Sequence, residues 1–194
     1  MQEQLAKLLL RLEAEGAEND ARESERRNKL LNLERLTAEL LAILVRVSAR
    51  RNVLEIGTSN GYSALWIAEA LSHTAGAKLT TIEREAAKQA AARANLTSAG
   101  LVPFVDFCLG DATEIVRGLV GPFDCVFFDA DRISAPAQLE ILLPKLTPRA
   151  LLIADNALSH PEEIAGYRKF VEQLPNVDWT LVPVGKGLHL AWVE

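Results

Sequence analysis

The sequence is poor in the residues that would indicate a disulfide-bonded, membrane-bound or broadly nucleic-acid-binding protein. Its 194 residues include two cysteines, and Cys108 and Cys125 both fall inside apolar, strand-like runs, which favours buried reduced thiols over a disulfide. Lys and Arg number 21 against 26 Asp and Glu, and this net charge of -5 argues against a broad nucleic-acid or membrane footprint. The first residues, MQEQLAKLLLRLEAEG, carry acids through their apolar face, so we expect neither a signal peptide nor a membrane anchor. A soluble protein of the reducing cytoplasm is the expectation.

The glycine motif also departs from the dinucleotide fingerprint, G-x-G-x-x-G. In Val53–Gly61, VLEIGTSNG, an apolar β-branched run enters Glu-x-Gly-x-x-x-Gly, which predicts a strand, a sharp turn and a helix over Tyr62–Leu71. Ser59 stands where the middle glycine of the fingerprint would let a pyrophosphate approach, so the turn favours a less phosphate-rich ligand. Glu55, at the end of the strand, is expected to be the first polar group that the ligand meets.

The N-terminal part is predicted to be helical. Leucines recur at helical spacing from Leu5 to Leu12, a polar stretch at Gly16–Asp20 is expected to break that helix, and a second helix or helix pair is expected over Ala21–Ser48. The charged first half of this second segment indicates a solvated end, with a lid or a dimer surface as the alternative. With 49% hydrophobic residues the chain fits one structural domain, in which helices of 1–48 pack on a ligand-binding core of 49–194.

From Arg51 onward, predicted strands and helices alternate, which is typical of a parallel α/β sheet with helices on both faces. The expected strands are Val53–Ile56, Leu79–Glu83, Phe104–Leu109, Cys125–Asp129, Leu151–Asp155, Trp179–Pro183 and Leu188–Val193. Only Val184–Gly187 separates the last two, which is too short for a crossover helix, so they should pair antiparallel.

Acidic residues stand at the ends of four predicted strands, where ligands gather in an open α/β sheet. They are Glu55, Glu83, Asp129 and Asp155. Glu83 is placed to accept hydrogen bonds from ribose hydroxyls, with an acid in the first turn of the following helix as the alternative. Asp111 fits both the N-cap of a helix and a contact to adenine, and the two roles are compatible.

Asp155 and Asn156 are predicted to be free for ligand binding. The next helix has a cap of its own, because Ser159, Pro161 and Glu162 resemble a capping box with proline in the first turn. With Asp129 from the adjacent strand, the pair offers three hard oxygen ligands, a set that leaves positions on Mg²⁺ or Ca²⁺ for water and substrate. From the residues alone, metal binding and its absence stay equally open.

Several segments, in matching order and spacing, resemble the motifs of the metal-dependent O-methyltransferases, the family that includes catechol and caffeoyl-coenzyme A O-methyltransferases. These segments are VLEIGTSNGYSALWIAEAL, TTIERE, DFCLGDA, FDCVFFDADR and LLIADNAL, and the resemblance covers Thr37 to the C-terminus. It implies a Rossmann-like class I methyltransferase sheet whose seventh strand is antiparallel, in agreement with the predicted hairpin. It also implies S-adenosylmethionine as the methyl donor and a divalent metal, with Mg²⁺ expected.

The resemblance assigns a role to each matching residue. It implies that the cofactor is bound by Glu55, Gly57, Gly61, Ser63, Glu83, Asp111, Ala112 and Asp129. It implies that the metal ligands are Asp129, Asp155 and Asn156. The predicted catalytic residues lie in the segment FDCVFFDADR and are Asp129, Asp131 and Arg132. The metal would chelate two adjacent substrate oxygens, lower the pKa of one hydroxyl and hold it in line with the methylsulfonium.

Three positions depart from the family pattern. Arg132 replaces a lysine, Ala135 replaces a tyrosine, and Lys186 replaces an aspartate between two glycines. Arginine stays protonated, so Arg132 cannot be a base, and pairing with a substrate anion or bridging to Asp131 are the alternatives. Proton removal would then fall to solvent on the metal or to Asp131. His160 is a further candidate for a substrate contact, with a surface residue at a helix start as the alternative.

The sequence therefore predicts a homodimeric, Mg²⁺-dependent O-methyltransferase that acts on a small phenolic or catechol-like hydroxyl and has no membrane partner. An alternative acceptor is a hydroxylated tRNA base, for which the basic cluster at Arg22–Lys29 is suited. A third reading, suggested by Arg132 and Lys186, is a non-catalytic S-adenosylmethionine-binding protein.

Overall fold

The computed structural model describes residues 3–194, which form one seven-stranded sheet flanked by α-helices. The helices are α1 (Glu3–Arg22), α2 (Arg35–Val47), α3 (Tyr62–Leu71), α4 (Ala86–Ser98), α5 (Ala112–Gly118), α6 (Ala135–Leu142) and α7 (Pro161–Glu172). The strands are β1 (Asn52–Ile56), β2 (Lys78–Glu83), β3 (Val105–Leu109), β4 (Phe123–Phe128), β5 (Leu146–Ala154), β6 (Val177–Val182) and β7 (Leu188–Val193).

The strand order across the sheet is β3-β2-β1-β4-β5-β7-β6. Strand β7 runs antiparallel to β5 and β6, while β1 to β5 pair with their neighbours in parallel. This confirms the predicted Rossmann-like sheet with an antiparallel last strand. The chain winds outward in both directions from the β1/β4 pair, and the crevice beyond the carboxyl ends of two such strands is the usual ligand site of this architecture. Ile56 lies beside Phe128 in this pair, so residues 57 and 129 leave the sheet together.

Two elements, α3 and β7, have the predicted bounds, because the glycines that precede them give sharp signals. Gly61 enters α3 with a φ of 85°, a conformation that glycine adopts without strain. Strand β5 is longer than predicted and begins at Leu146 instead of Leu151. The added residues include exposed Pro148 and Arg149, which carry no apolar strand signal.

The predicted helix break at Gly16–Asp20 is wrong, and so is a continuous helix over Ala21–Ser48. Helix α1 runs to Arg22, and a 3₁₀ turn and a loop separate it from α2. The polar residues near the end of α1 hold the returning chain: the Asp20 carboxylate accepts hydrogen bonds from the Leu30 and Leu31 backbone amides at 2.7 and 2.9 Å. Gly16 lies against the Asn32 side chain, so it makes room for the loop without ending the helix.

The two predicted helix caps have opposite outcomes. The Asp111 carboxylate accepts a hydrogen bond from the Glu114 backbone amide at 3.0 Å, which confirms that Asp111 caps α5. The capping box at Ser159 is wrong, because His160 is the N-cap residue of α7 and its side chain makes no capping hydrogen bond. The Ser159 hydroxyl is instead hydrogen-bonded to the side chains of Asn156 and His160, at 3.3 and 2.8 Å.

Successive strand residues point to opposite sides of the sheet, and both faces are buried by helices. One face shares a hydrophobic cluster with the N-terminal helices, formed among others by Val53, Leu79, Leu9, Leu41 and Leu65. The other face packs against α6 and α7, with Leu54, Val126, Leu139 and Tyr167 in its cluster. Helices α1 and α2 therefore belong to the same core as the sheet. Cys125 is buried and Cys108 half-buried, and both are free thiols. Among residues 3–194, no helix has the length and apolar character needed to cross a membrane.

Candidate functional site

The glycine turn between β1 and α3 lies directly against the end of β4. Gly57 has a φ of 108°, and a Cβ atom added to it would lie 2.5 Å from the Asp129 carbonyl oxygen. The Gly57 amide donates to the Ile82 carbonyl at 3.0 Å, which ties the turn to β2 as well. The absence of a side chain thus lets the turn sit between the ends of β2 and β4. Ligand atoms in the crevice would meet backbone here.

Glu55 is an interior acid and not the first polar group of the crevice, which corrects the prediction for this residue. Its side chain has 0% exposure, and its two carboxylate oxygens accept hydrogen bonds from the hydroxyls of Ser63 and Thr81, each at 2.6 Å. Burial raises the pKa of Glu55 to about 7, against the effect of these two hydrogen bonds. Glu55 therefore holds the start of α3 to β2 from beneath the glycine turn.

Glu83 connects the glycine turn to the start of α4. One carboxylate oxygen accepts a hydrogen bond from the Ser59 backbone amide at 2.8 Å, and the other accepts from the amides of Arg84 and Glu85, both at 2.9 Å. The geometry thus ties down the two residues before α4, but it corrects the predicted alternative, an acid in the first turn of the next helix, because Glu83 ends β2 and α4 begins only at Ala86. It also places a carboxylate at the end of β2, beside the turn, where the resemblance puts the ribose contact.

Ser59 also joins the glycine turn to the loop before α2. Its hydroxyl donates to the Leu30 carbonyl oxygen at 2.6 Å, and Lys88 of α4 donates to the neighbouring Lys29 carbonyl at 2.7 Å. The loop before α2 therefore lies over the carboxyl ends of the strands, beside the glycine turn. At the next strand end, Asp111 and Ala112 form the start of α5.

Asp129, Asp155 and Asn156 follow the neighbouring strands β4 and β5. The Asp155 amide donates to the Phe128 carbonyl at 3.1 Å, which sets the two strand ends side by side. Asn156 has a φ of 66°, in the left-handed region that asparagine tolerates better than most residues. Its side-chain nitrogen, Nδ2, donates to Oδ2 of the Asp155 carboxylate at 2.7 Å. The other carboxylate oxygen, Oδ1, is buried without a hydrogen-bond partner among residues 3–194.

Keeping both Asp129 and Asp155 ionised in this buried site is unfavourable. Burial and the neighbouring Asp155 carboxylate raise the pKa of Asp129 well above its usual range. Burial likewise raises the pKa of Asp155 to about 6. The described part of the chain holds no group of three or more histidine, cysteine, aspartate or glutamate side chains arranged for a metal ion. The oxygen set here is two carboxylates and one amide.

Asp131 and Arg132 are engaged in separate local contacts. The Asp131 carboxylate accepts hydrogen bonds from the Ser134 hydroxyl at 2.5 Å and the Ile133 amide at 3.1 Å, and these bonds lower its pKa although burial opposes them. Arg132, only 7% exposed, donates from Nε and Nη2 to one oxygen of Glu163, at 3.0 and 2.5 Å. The alternative in which Arg132 bridges to Asp131 is therefore not the observed pairing.

One ion pair beside the acidic residues was missed from the sequence. Lys186, in the turn between β6 and β7, donates to Glu34 at the start of α2, with 2.9 Å between Nζ and Oε1. Glu34 stands in a charged segment with no motif around it, so no local pattern indicates this contact. Burial opposes the charged form of Lys186, but the hydrogen bond with Glu34 and the charges of Asp155 and Asp129 raise its pKa.

A doubly wound sheet, a glycine turn at its switch point and an antiparallel seventh strand together define the class I methyltransferase fold. Within that class the chain belongs to the O-methyltransferase family, whose sequence model matches residues 17–192. It is 35% identical over 124 residues to a catechol O-methyltransferase of Niastella koreensis, and 31% identical over 121 residues to one of Mycobacterium tuberculosis. Each alignment covers 62% of this chain, and the chain spans just over half the length of these relatives, 55% and 54%.

Solved structures resemble the whole chain. An O-methyltransferase of Bacillus cereus in complex with SAH superposes with a TM-score of 0.81 at 27% identity, covering 100% of this chain and 92% of the other. The O-methyltransferase TomG of Streptomyces achromogenes, in complex with SAM, gives a TM-score of 0.80 at 29% identity, with 100% and 90% covered. The architecture is therefore shared from end to end.

Proposed function

We propose that this protein transfers the methyl group of S-adenosylmethionine to a hydroxyl of a small phenolic or catechol-like acceptor, with the help of a divalent metal. The observation that carries the proposal is that two sites, the glycine turn and the acidic pair Asp129 and Asp155, lie next to each other at the carboxyl ends of the parallel strands. The glycine turn contacts the backbone of Asp129, whose strand end is also part of the acidic pair with Asp155. Donor and acceptor held at these two sites would therefore be neighbours.

The cofactor side rests on backbone geometry and hydrogen-bonding groups. Gly57 and Gly61 let the turn pack closely against Asp129 and Ala92, and Ser63 and Glu55 hold the helix that follows it. Glu83 offers carboxylate oxygens at the end of β2, where an acid accepts hydrogen bonds from ribose hydroxyls in related folds. The SAH and SAM named for the Bacillus cereus and Streptomyces structures support the same class of cofactor here.

The acidic site fits a magnesium ion. Asp155 Oδ1 is buried and without a hydrogen-bond partner among residues 3–194, so an oxygen ligand is available at the cost of no existing contact. Mg²⁺ is usually bound through one or two carboxylates and keeps several waters, which suits Asp129, Asp155 and Asn156. When bound, the metal would polarise acceptor hydroxyl oxygens and lower their pKa.

The remaining steps fall to residues of the chain. Asp129 holds the acceptor site against the glycine turn. Two reactants held in this orientation react as if they were parts of one molecule. Asp131 is a weak candidate for a base, because its pKa is lowered by its hydrogen bonds. Arg132, paired with Glu163, holds the loop after β4 to α7.

The test is transfer of labelled methyl from S-adenosylmethionine to a panel of catechols, with Mg²⁺ and again with excess chelator. We expect transfer that the chelator abolishes. Asp155→Ala should abolish the Mg²⁺-stimulated part while the affinity for S-adenosylhomocysteine, measured by calorimetry, stays within about twofold of the wild type. Full metal-stimulated transfer by Asp155→Ala would show that the metal site is wrong. Cofactor binding without transfer to any acceptor would favour the non-catalytic reading.

RNA as the acceptor is the second candidate, and one observation favours it. The residues Arg26 and Arg27 are exposed on the 3₁₀ turn between α1 and α2, next to the loop that contacts the glycine turn. Binding to tRNA that weakens steeply with salt would support this candidate. Affinity for tRNA that is equal in Arg26→Ala and the wild type would contradict it.

A homodimer is proposed from an apolar stripe on α2. Leu36, Ile43 and Val47 are 67%, 56% and 74% exposed, and their spacing places them on one side of the helix. A second copy presents the same stripe, so two α2 helices can pair across a twofold axis. We expect a dimer by light scattering and a monomer for Ile43→Glu, whereas Leu10→Glu on α1 is the matched exposed control. A monomeric wild type would contradict this proposal.

A further inference from the structure

The turn that carries Lys186 is held in place by its two glycines. A Cβ atom on Gly185 would collide with the Thr37 hydroxyl, and one on Gly187 would lie 2.5 Å from Leu158 Cγ. Both glycines have positive φ, at 54° and 88°. The turn is therefore wedged between the start of α2 and the loop after β5, and Lys186 at its centre has a defined position.

Backbone hydrogen bonds join this turn to the loop that begins at Asn156. The Lys186 carbonyl accepts from the amides of Leu158 and Ser159 at 3.0 and 3.1 Å, and the Gly187 carbonyl accepts from Ala157 at 2.9 Å. The residues immediately after Asn156 thus share their backbone contacts with the Lys186 turn. The turn that carries the ammonium group is therefore anchored to the loop that follows Asp155 and Asn156.

Glu34 restrains the Lys186 ammonium in this position. The Lys186 and Glu34 side chains are 39% and 35% exposed, so the pair is partly shielded from water. Glu34 Oε2 is itself buried without a hydrogen-bond partner among the described residues. The charges of this pair reach both aspartates: the Lys186 charge lowers the pKa of Asp129 and of Asp155, and the Glu34 charge raises both.

We propose that Lys186, held by Glu34, is a built-in cation that lowers the divalent-metal affinity of the site formed by Asp129, Asp155 and Asn156. The proposal rests on the metal site proposed above. A fixed positive charge near two carboxylates stabilises them without metal and repels an incoming cation, and in a partly shielded site this repulsion is weakly screened. In the family pattern that the sequence resembles, an aspartate stands between the two glycines, so this chain reverses the sign of the charge at that point.

The test measures Mn²⁺ binding to the full chain, by the electron paramagnetic resonance signal of free Mn²⁺, without cofactor or acceptor. Lys186→Met should bind Mn²⁺ about tenfold more tightly than the wild type, as removal of one nearby charge predicts. Lys186→Arg should stay within about twofold, because it keeps the charge. Glu34→Gln should bind a few-fold more weakly, because it removes a carboxylate and leaves the ammonium.

Lys78→Met is the matched control, since it removes the same charge at the amino end of β2, whereas the acidic residues lie at the carboxyl ends of the strands. Thermal unfolding checks that each variant is folded, and Lys186→Gln replaces Lys186→Met if the latter is not. Equal Mn²⁺ affinity in the wild type and the uncharged Lys186 variants, together with loss of binding in Asp155→Asn, would overturn this proposal and leave the metal site standing. Unchanged binding in Asp155→Asn would overturn the metal site itself, and this proposal with it.

Discussion

Gly57 packs directly against the backbone of Asp129, so the glycine turn and the end of β4 meet with no side chain between them. The backbone of Asp129 occupies the space that a side chain on residue 57 would need, with 2.5 Å from an added Cβ atom to the carbonyl oxygen. The contact joins the ends of β1 and β4, the two strands at which the sheet order divides. A change at Gly57 therefore has to move either the glycine turn or the end of β4.

Gly57→Ala should cost about 2 to 3 kcal/mol of unfolding free energy, because the clash is with backbone and the φ of 108° is unfavourable for a side chain. We also expect the affinity for S-adenosylhomocysteine to fall at least about tenfold, since the turn must shift. Chemical denaturation and calorimetry measure the two effects. Gly100→Ala is the control: its φ is 69°, but no heavy atom of residues 3–194 lies within 4 Å of the added Cβ, so only the strain of about 1 kcal/mol applies. Equal effects of the two substitutions would contradict the packing of Gly57 against Asp129.

Glu55 should make the stability of the protein fall as the pH rises. Its pKa is about 7 in the folded chain and 4.5 ordinarily, so the folded state binds the proton more tightly. The stabilisation is complete below about pH 4.5 and is lost as the pH passes 7, which amounts to about 3 kcal/mol between the two limits. Glu55→Gln removes this part of the profile. Unfolding free energies from pH 4.5 to 8.5 that stay parallel for the two proteins would show that Glu55 is not raised.

The sequence predicted the strands and the acids at their carboxyl ends better than the contacts that those acids and the neighbouring loops make. Strand ends could be located from apolar runs followed by acids, and the antiparallel pair from the short connection before β7. Glu55 was located correctly but its surroundings were not, because burial by Thr81 of β2 depends on strand pairing. The Lys186 contact with Glu34 depends on how the N-terminal helices fold back, which no local pattern encodes. The loop before α2 is held by Asp20 in the same non-local way.

Glu83 should be needed for cofactor binding as well as for the shape of the turn. Glu83→Gln replaces one acceptor oxygen with an amide donor, which cannot serve the Ser59 amide and the amides of Arg84 and Glu85 together. We expect an affinity for S-adenosylhomocysteine at least about tenfold lower, equivalent to the roughly 1.4 kcal/mol of a charged hydrogen bond. Glu85→Gln is the matched control, because the Glu85 side chain makes no capping bond to α4. A similar loss in both variants would argue against a specific role for Glu83.

Tyr62 should link the N-terminal helix to the start of α3. Its hydroxyl donates to Glu13 at 2.6 Å, and Arg35 Nη2 lies 2.8 Å from the same carboxylate oxygen. Tyr62→Phe removes the hydroxyl and keeps the buried ring, so we expect a loss of about 1 kcal/mol in unfolding free energy. In a Glu13→Gln background the same substitution should cost less, since the carboxylate partner is gone. Additive effects of the two substitutions would show that the hydrogen bond contributes nothing.

His189 should make the protein less stable in acid. The ring has 0% exposure, lies between Trp179 and Tyr167 at centroid distances of 5.7 Å, and has no hydrogen-bond partner on either nitrogen within residues 3–194. Burial lowers its pKa to about 4, so the unfolded chain, with an ordinary value of 6.5, takes up the proton first. The unfolding free energy should therefore fall as the pH drops from about 6.5 to 4, by about 3 kcal/mol for this residue. His189→Leu should unfold with a shallower slope over that range, because a leucine needs neither a proton nor a hydrogen bond. A slope equal to that of the wild type would show that the buried ring is not the group that titrates.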